Sequence, residues 1–296
     1  MKTLTIAIPT YNRAAILKKC LSSIFSQING LEKHINILVS DNNSDDNTFD
    51  VVNNFILSGH DLIYNKNKSN IGMDMNFKYC FNNCKSKYVW ILGDDDFILD
   101  GSLIDIINIL KDNNLGILFL ETRQLKDNKL EIYTNPSKLL SDISFYITFI
   151  SSVIVNTNHI KKVNFEKYQG SFLNYLQVYL DGIFLHPINA KYNKLTMNIS
   201  NDISTTGGYN VFIVFVKNYL KILKDYRKYF SLYYYELEKF KLLKSFVRPF
   251  MLLAVQKKET NFTFKGYVKI LFKKYWYLPY FYFMWFYIYI TKIINK

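Results

Sequence analysis

The chain has 296 residues, 49% of them apolar, and a formal net charge of +13. That is an ordinary globular composition, long enough to bury a substantial core as one large domain or one domain with an appendage. It shows no internal repeat and no low-complexity linker. The charge is unevenly placed. Residues 1–209 hold 20 Lys/Arg and 20 Asp/Glu, whereas residues 210–296 hold 17 and 4, so the tail's 17 − 4 = 13 is the whole excess. A neutral body with a basic tail points to an anionic surface, either membrane or nucleic acid.

In chain order, Leu4-Thr-Ile-Ala-Ile8 reads as a short strand ended by Pro9. Leu17, Cys20, Leu21, Ile24, Phe25 and Ile28 then recur at the spacing of one helix face. Ile35 to Val39 is a second strand. Ser44 and Asp45 offer an N-cap to a helix whose inner face is Phe49, Val52, Phe55 and Ile56. Leu62 to Tyr64 is a weaker third strand, followed by a helix on Met73, Phe77, Cys80, Phe81 and Cys84. Tyr88 to Leu92 is the fourth strand, Leu103, Ile106, Ile107 and Leu110 line the next helix, and Leu115 to Leu120 is the fifth strand. This alternation predicts an α/β fold with a mostly parallel, doubly wound sheet flanked by helices. Between Glu121 and Gly208 the pattern weakens, and Ser144 to Val155 fits either strand or helix. From Tyr209 onward the chain reads as helical, rich in Tyr, Phe and Lys.

Cys20, Cys80 and Cys84 have no metal-ligand spacing with any histidine and fall on predicted apolar stripes, so they read as buried free thiols. The apolar run at the start, Met1 to Thr10, is too short for a signal peptide, so the expected compartment is the reducing cytoplasm.

Ligands of such sheets sit beyond the carboxyl ends of the strands. Three polar clusters fall there: Thr10-Tyr-Asn-Arg13, Ser40-Asp-Asn-Asn-Ser-Asp45, and Gly93-Asp94-Asp95-Asp96. Three adjacent carboxylates repel one another and call for a positive partner. Hard oxygen ligands suit Mg²⁺ or Mn²⁺ together with a phosphate; the plainer alternative is a solvated turn that caps the next helix. No Gly-x-Gly-x-x-Gly follows the first strand and no P-loop occurs, which argues against a dinucleotide dehydrogenase and a P-loop ATPase. An α/β sheet with a cluster of adjacent aspartates suggests a nucleoside-diphosphate ligand held through a divalent metal. The matching reaction is displacement of that diphosphate, with the metal taking up its developing charge.

Ala7-Ile-Pro-Thr-Tyr-Asn12, Val39-Ser-Asp41-Asn-Asn-Ser-Asp45, Asn70-Ile-Gly72 with Asn76, and Trp90-Ile-Leu-Gly-Asp94-Asp95-Asp96, in that order, resemble family 2 glycosyltransferases of the GT-A fold. The branch most alike is the abequosyltransferase-like one, which builds bacterial surface polysaccharide such as O-antigen or capsule. The resemblance covers residues 3–125 well and the rest loosely. It implies a GT-A catalytic domain over 1–209, with a nucleotide-sugar half at 1–125 and an acceptor half at 126–209, and a helical membrane-associating region at 210–296. It implies a nucleotide-diphosphate sugar as donor, a lipid-linked oligosaccharide as acceptor, and Mn²⁺ or Mg²⁺. Pro9, Thr10 and Asn12 would lie under the nucleotide with Arg13 nearby, and Asp41 would hydrogen-bond the base. Asn70, Gly72 and Asn76 would lie beside the ribose and donor sugar. Asp94 and Asp95 would meet ribose, diphosphate and metal, with Asp95 the direct metal contact. Asp96 is either a further ligand or the cap of the next segment.

Two departures matter. Gly93 stands where the family often has the first aspartate of its acidic motif, and the usual downstream Glu-Asp pair has no clean match. The base that takes the acceptor's proton is therefore open among Glu166 and Asp181, with Glu121 a weaker candidate; each is equally readable as a surface carboxylate. His186 could line the acceptor site or do nothing there, and Gly207-Gly208-Tyr209 is either a segment that closes over the donor or a plain turn. A sugar nucleotidyltransferase would need a glycine-rich start that is missing. A nucleic-acid-binding protein would leave the aspartates unexplained, so no nucleic-acid partner is expected.

The uncharged run Tyr275 to Thr291 is 17 residues, about 25 Å as a helix at ~1.5 Å per residue. That is short of the ~30 Å hydrocarbon core, and Pro279 interrupts it. With Lys257, Lys258, Lys265, Lys269, Lys273, Lys274 and Lys292 around it, it reads as an interfacial segment. The enzyme would then sit on the inner face of the cell membrane; the alternative is that these aromatics pack on protein.

Overall fold

The computed structural model describes residues 1–123, 125, 127–199 and 208–294. The chain divides into two compact units, Met1–Ser200 and Asn201–Lys296; the expected boundary lay after Tyr209.

Unit 1 is built on an eight-stranded sheet. In chain order its first four strands are β1 (Leu4–Thr10), β2 (Ile35–Asp41), β3 (Ile63–Lys66) and β4 (Tyr88–Ile91). After the two-stranded partner β5 (Asp96–Ile98) come β6 (Ile117–Leu120), β7 (Leu130–Tyr133), β8 (Val153–Asn156) and β9 (Asn189–Tyr192); β10 (Met197–Ile199) pairs with β5 alone. The sheet order is β3-β2-β1-β4-β8-β6-β9-β7. Strands β3, β2, β1 and β4 are mutually parallel, β8 is antiparallel to both β4 and β6, and β7 is antiparallel to β9. This is the mixed, mainly parallel α/β sheet that the alternating pattern predicts.

The helices are α1 (Ala14–Phe25), α2 (Thr48–Leu57), α3 (Met73–Asn82), α4 (Ser102–Asp112), α5 (Pro136–Ile143) and α6 (Leu176–Leu185). Because side chains alternate across a strand, Ile6, Ile8, Ile37, Val39 and Trp90 form one face and pack with Leu17, Leu21, Ile24, Val52, Leu103 and Ile106 of α1, α2 and α4. Helices α3 and α6 lie against β1, β2, β4, β6 and β8 from the other side. Cys20 and Cys80 are buried as expected, Cys84 is half-buried, and all three are free thiols.

Several local expectations need correction. Strand β1 does not stop at Pro9 but runs to Thr10. The Ala7 carbonyl accepts from Leu92 on the β4 side, while the Thr10 carbonyl accepts from Asn42 on the β2 side. Pro9, two residues after Ala7, therefore turns its donorless nitrogen toward β4, whose strand has already ended, and no ladder bond is lost. Ser44 and Asp45 do not cap α2; Asp46 does, accepting from the Thr48 amide at 3.1 Å and its hydroxyl at 2.5 Å. Phe49 and Ile56 face outward, 53% and 42% exposed, so Val52 is the helix's anchor. Ser144 to Val155 is neither one strand nor one helix. Short 3₁₀ turns cover 144–152, and β8 follows.

Unit 2 is helical: α7 (Tyr219–Asp225), α8 (Leu232–Lys241), α9 (Arg248–Gln256), α10 (Tyr267–Tyr275) and α11 (Pro279–Ile294). Widened π-type turns lead into α7 (Phe212–Asn218) and join α8 to α9 (Leu242–Val247). Pro249 explains the second, since it has no N–H for the preceding turn. Pro279 opens α11 and does not break it. Gly208 is tied by its amide to the Asn261 carbonyl, 2.8 Å away; Thr205 to Gly207 lie outside the described residues.

At the amino end of β6 two glycines meet. A Cβ on Gly182 of α6 would lie 2.6 Å from Ile117 Cγ2 and 3.1 Å from the Gly116 carbonyl. Gly182→Ala should therefore lower the unfolding free energy by about 1–3 kcal/mol. Urea denaturation of the two proteins checks this, and an unchanged midpoint would mean that α6 does not pack this closely.

Candidate active site

Strands β1, β2 and β4 run in parallel, with Thr10 paired to Asp41 and Ala7 to Ile91. Their following loops therefore leave one edge together. The positive partner that three adjacent carboxylates demand is Arg13, just before α1. Its Nη1 donates to Asp94 Oδ1 at 2.8 Å and to Asp95 Oδ2 at 3.1 Å. Thr10 Oγ1 donates to Asp94 Oδ2 at 2.7 Å. Both oxygens of Asp94 are thus committed, and the residue is buried. Burial pushes the Asp94 carboxyl up, Arg13 and Thr10 hold it back, and Asp95 adds to the rise. Burial also works against the Arg13 charge, but the two aspartates outweigh it, and the guanidinium holds its proton more tightly than usual.

Asp96 faces a different partner. It opens β5, opposite Ile199, and its Oδ2 accepts from Ser151 Oγ at 2.5 Å. The Ser151 hydroxyl also accepts from the Gly93 amide at 2.8 Å, while the Ser151 carbonyl takes Trp90 Nε1–H at 2.7 Å. Ser151 therefore clips the turn to the core. The reason for glycine at 93 is steric, because a Cβ there would stand 2.9 Å from Asp96 Oδ2 and 3.0 Å from Asp95 Oδ1. Beneath the turn, burial and the charges of Asp94, Asp96 and Asp95 push the Cys20 thiol far up, so it stays neutral.

Asp94 and Asp95 thus share Arg13, while Asp96 turns to Ser151. Among the described residues no group of three or more His, Cys, Asp or Glu is gathered as a metal set. Gly101, five residues beyond Asp96, precedes α4. A divalent cation that keeps its waters and a substrate phosphate needs only one or two carboxylates. Asp95 fits that role. It is the most exposed of the three, and its Oδ1 takes no hydrogen bond among the described residues.

The second loop is joined to the first. Asn12, at φ 54°, donates its amide to Ser44 Oγ at 2.8 Å and accepts from the Asp45 amide at 2.8 Å. Asp46 accepts from the Ala14 amide at 2.9 Å and so caps α1 across the loops. Asp41 is 0% exposed. Its Oδ1 accepts from the Ser44 amide and hydroxyl at 2.8 and 2.6 Å, and its Oδ2 from Tyr64 OH at 2.6 Å. A nucleobase would have to reach a sealed carboxylate that already accepts three hydrogen bonds, so the residue shapes the loop first. Asn76 and Asn70 belong to a similar network. Asn76 accepts from Ser40 Oγ at 2.6 Å and donates to the Ser40 carbonyl at 3.0 Å. Asn70 Oδ1 accepts from Asn42 at 2.8 Å and from the Gly72 amide at 2.9 Å.

None of the candidate bases stands in good order. Glu166 is exposed and paired with Lys78, which holds it below the usual carboxylate range. Asp181 precedes Gly182, which abuts Gly116 at the amino end of β6, the edge away from the aspartates. Glu121 does stand at the carboxyl end of β6, but fully buried. Burial alone would raise it; Arg123, bidentate at 2.7 Å twice, and Lys191 at 3.4 Å outweigh that and hold it low. His186 is half-buried and accompanies Asp181 at the amino end, against Ile188 and His159. Sequence reasoning missed Ser151, Tyr64 and Asn67, and placed Asn42 only as a member of the Ser40 to Asp45 cluster. For Ser151 a signal was available in the polar pair Ser151-Ser152 inside an apolar run.

Asp94→Ala should cost about 3 kcal/mol of unfolding free energy, because Arg13 and Thr10 lose a buried partner. Asp95→Ala, partly exposed, should cost under about 1 kcal/mol. Equal losses on urea denaturation would show that Arg13 does not favour Asp94.

The chain is similar to known proteins. The profile of the family "Glycosyl transferase family 2" matches residues 5–195. Abequosyltransferase RfbV of Salmonella typhimurium is 31% identical over 150 residues, 49% of this chain and 43% of RfbV, so that match spans less than half the relative's length. The GalNAc(5)-diNAcBac-PP-undecaprenol beta-1,3-glucosyltransferase of Campylobacter jejuni is 25% identical over 260 residues, 79% of this chain and 81% of that one. In fold, residues 1–349 of S. aureus TarS superpose with a TM-score of 0.62 at 15% identity, covering 86% of this chain and 79% of that one. The mannosyltransferase PcManGT of Pyrobaculum calidifontis, in complex with GDP-Man and Mn²⁺, superposes with a TM-score of 0.56 at 13% identity, covering 99% and 86%. With the profile spanning well over half its length, the chain belongs to glycosyl transferase family 2.

Proposed function

We propose that the chain transfers a sugar from a nucleoside-diphosphate sugar to a lipid-linked saccharide in bacterial surface polysaccharide synthesis, with inversion at the anomeric carbon. The observation that carries this is the tie of Arg13 and Thr10 to Asp94 and Asp95, which fixes a charged cleft at the carboxyl edge of β1, β2 and β4. The loops of Pro9 to Arg13, Asp41 to Asp46 and Asn70 to Asn76 would frame the nucleotide and the donor sugar. Asp41 acts there by holding Ser44 and Tyr64 in place. TarS has been seen with UDP and with UDP-GlcNAc, and the Campylobacter relative is named for a PP-undecaprenol acceptor.

Asp95 would hold Mn²⁺ or Mg²⁺ beside the diphosphate. The ion would supply neutralisation of the leaving group's charge. Arg13 would orient the diphosphate, and buried Asp94 would keep Arg13 in position. Release of nucleoside diphosphate from a panel of nucleotide sugars is the direct test. Asp95→Ala should lower that rate by about three orders of magnitude, as loss of a leading charge-stabilising group does. Full activity of the wild-type chain in excess chelator would sink the metal role. Melting with UDP plus Mn²⁺ should raise Tm, since a ligand of the native state stabilises by RT ln(1 + [L]/Kd).

Unit 2 would dock on the inner membrane surface. No helix among the described residues is long and apolar enough to cross a membrane. Helix α11 turns Phe281, Met284 and Ile288 inward and leaves Tyr282, Phe283, Phe286, Tyr287 and Tyr289 exposed, Phe283 by 74%. So the aromatic run is divided between core and surface. Tyr and Trp favour the interface. Lys257, Lys258, Lys265, Lys269 and Lys273 are exposed in the same unit, and each would add up to ~1 kcal/mol against anionic lipid. The full chain should sediment with phosphatidylglycerol vesicles at low salt, and Phe283→Ser with Phe286→Ser should release it. Equal sedimentation of both would assign the face to something other than lipid.

A further inference from the structure

Of the three carboxylates singled out as bases, Glu166 and Glu121 are paired with cations and Asp181 lies toward the far edge; a fourth, Asp74, keeps one oxygen unpartnered. Asp74 lies in the first turn of α3, two residues after Gly72 and two before Asn76, whose bonds to Ser40 fix this turn at the carboxyl end of β2. It is 7% exposed. One carboxylate oxygen, Oδ2, accepts from the Gly170 amide at 2.7 Å and the Phe172 amide at 3.4 Å. Its backbone carbonyl accepts from Asn174 Nδ2 at 2.8 Å. The remaining oxygens of this pair, Asp74 Oδ1 and Asn174 Oδ1, are buried and have no hydrogen-bond partner. Two orphaned acceptors on contacting residues are costly, because a buried polar group without a partner forfeits its hydration. The covering segment carries strain at Phe172, a bulky residue at φ 63°, two residues after Gly170. Strain and unmet acceptors coincide beside the donor loop.

We infer that Asp74 Oδ1 and Asn174 Oδ1 receive the acceptor's hydroxyl groups when the 170–172 turn opens, and that Asp74 is the base of the transfer. Two unpartnered acceptors on contacting residues suit the hydroxyls of a saccharide. In the step, the acceptor O–H gives its proton to Asp74 Oδ1. The oxygen lone pair forms the bond to the anomeric carbon, and the bond from that carbon to the diphosphate oxygen breaks with its electron pair on the leaving group. Asp74 then returns its proton to water. The Gly170 and Phe172 amides hold the other oxygen, so the free one has a fixed direction. Burial raises the Asp74 carboxyl despite these amides, toward the range where a carboxylate is an effective base. The charged groups on the packed elements are Lys78 of α3 with its partner Glu166, Lys167 over the Tyr168 ring, and Asp181 of α6 toward the far edge.

This inference rests on the transferase reading, and water serves as acceptor in its test. Nucleoside-diphosphate release from the nucleotide sugar found by the panel is followed against pH for the wild type, Asp74→Asn and Asn174→Asp. Asp74→Asn should lose at least a hundredfold in kcat and the acidic limb of the profile, with the calorimetric Kd for UDP plus Mn²⁺ within twofold. Asn174→Asp should stay active with that limb moved to higher pH, because a second carboxyl opposes ionisation of the first. A ligand-free check is melting against pH. A raised folded pKa stabilises at low pH and fades as pH rises through it, so the Tm advantage of wild type over Asp74→Asn should shrink from pH 4 upward. Asp74→Asn within fivefold of wild type, or a kcat loss that comes with lost UDP binding and an unmoved pH profile, would overturn the assignment. A wild-type chain that releases nothing from any nucleotide sugar would instead refute the transferase reading, and this inference with it.

Discussion

The structure depends on one guanidinium set against three consecutive carboxylates. At the end of a buried strand, Asp94, Asp95 and Asp96 cannot share an environment without a large Coulombic cost. The fold separates them. Asp94 is sunk and satisfied by Arg13 and Thr10, Asp95 shares Arg13 at the rim, and Asp96 is turned to Ser151. Each partner comes from a different element, so the electrostatic solution is also a mechanical one. Arg13 ties the start of α1 to the β4 turn, and Ser151 ties the same turn to the segment ahead of β8. An ion pair this enclosed is chiefly specific and only weakly stabilising, and what it specifies is the register of two loops.

Around that tie the loops after β1 and β2 are extensively hydrogen-bonded. Asn12, Ser44, Asp41 and Tyr64 close one circuit, and Ser40, Asn42, Asn67, Asn70 and Asn76 close another. Such networks rigidify when every member is satisfied. A preorganised cleft loses little entropy on binding a flexible nucleotide sugar. The contrast lies across α3, where Asp74 and Asn174 keep unmet oxygens.

The sequence displayed the first half of the fold because hydrophobic period and loop polarity are local. Every strand and helix from Leu4 to Leu120 was legible except β5, whose three residues exist only through pairing with β10 a hundred positions later. The second half was opaque for the same reason: β7, β8 and β9 are short, and their partners are distant. In the site, the identities of Thr10, Arg13, Asp94 and Asp95 were legible, but their division of labour was not. Motif order shows which residues meet at an edge; it does not show that Asp94 spends both oxygens inside the protein. Nor could it locate a base, because Asp181 and Asp74 look alike until α6 is seen to run from one edge of the sheet toward the other.

Charge balance sets what the cleft can bind. Three carboxylates against one guanidinium leave the turn negative, and a diphosphate adds more negative charge. Arg13 carries a single positive charge and cannot neutralise both; were its Nη1 drawn to a phosphate, a bond would be withdrawn from Asp94 or Asp95. Sunken Asp94 tolerates that withdrawal least, since it would be left charged in a low-dielectric site. The bond to give up is the longer one, to Asp95 at 3.1 Å. Asp95 would then face the diphosphate with no counter-ion, which is the arrangement a hydrated divalent cation stabilises. On this reasoning a cation, if bound, would divide the two aspartates with Arg13: the guanidinium would stay on Asp94 and the metal would take the half-buried Asp95.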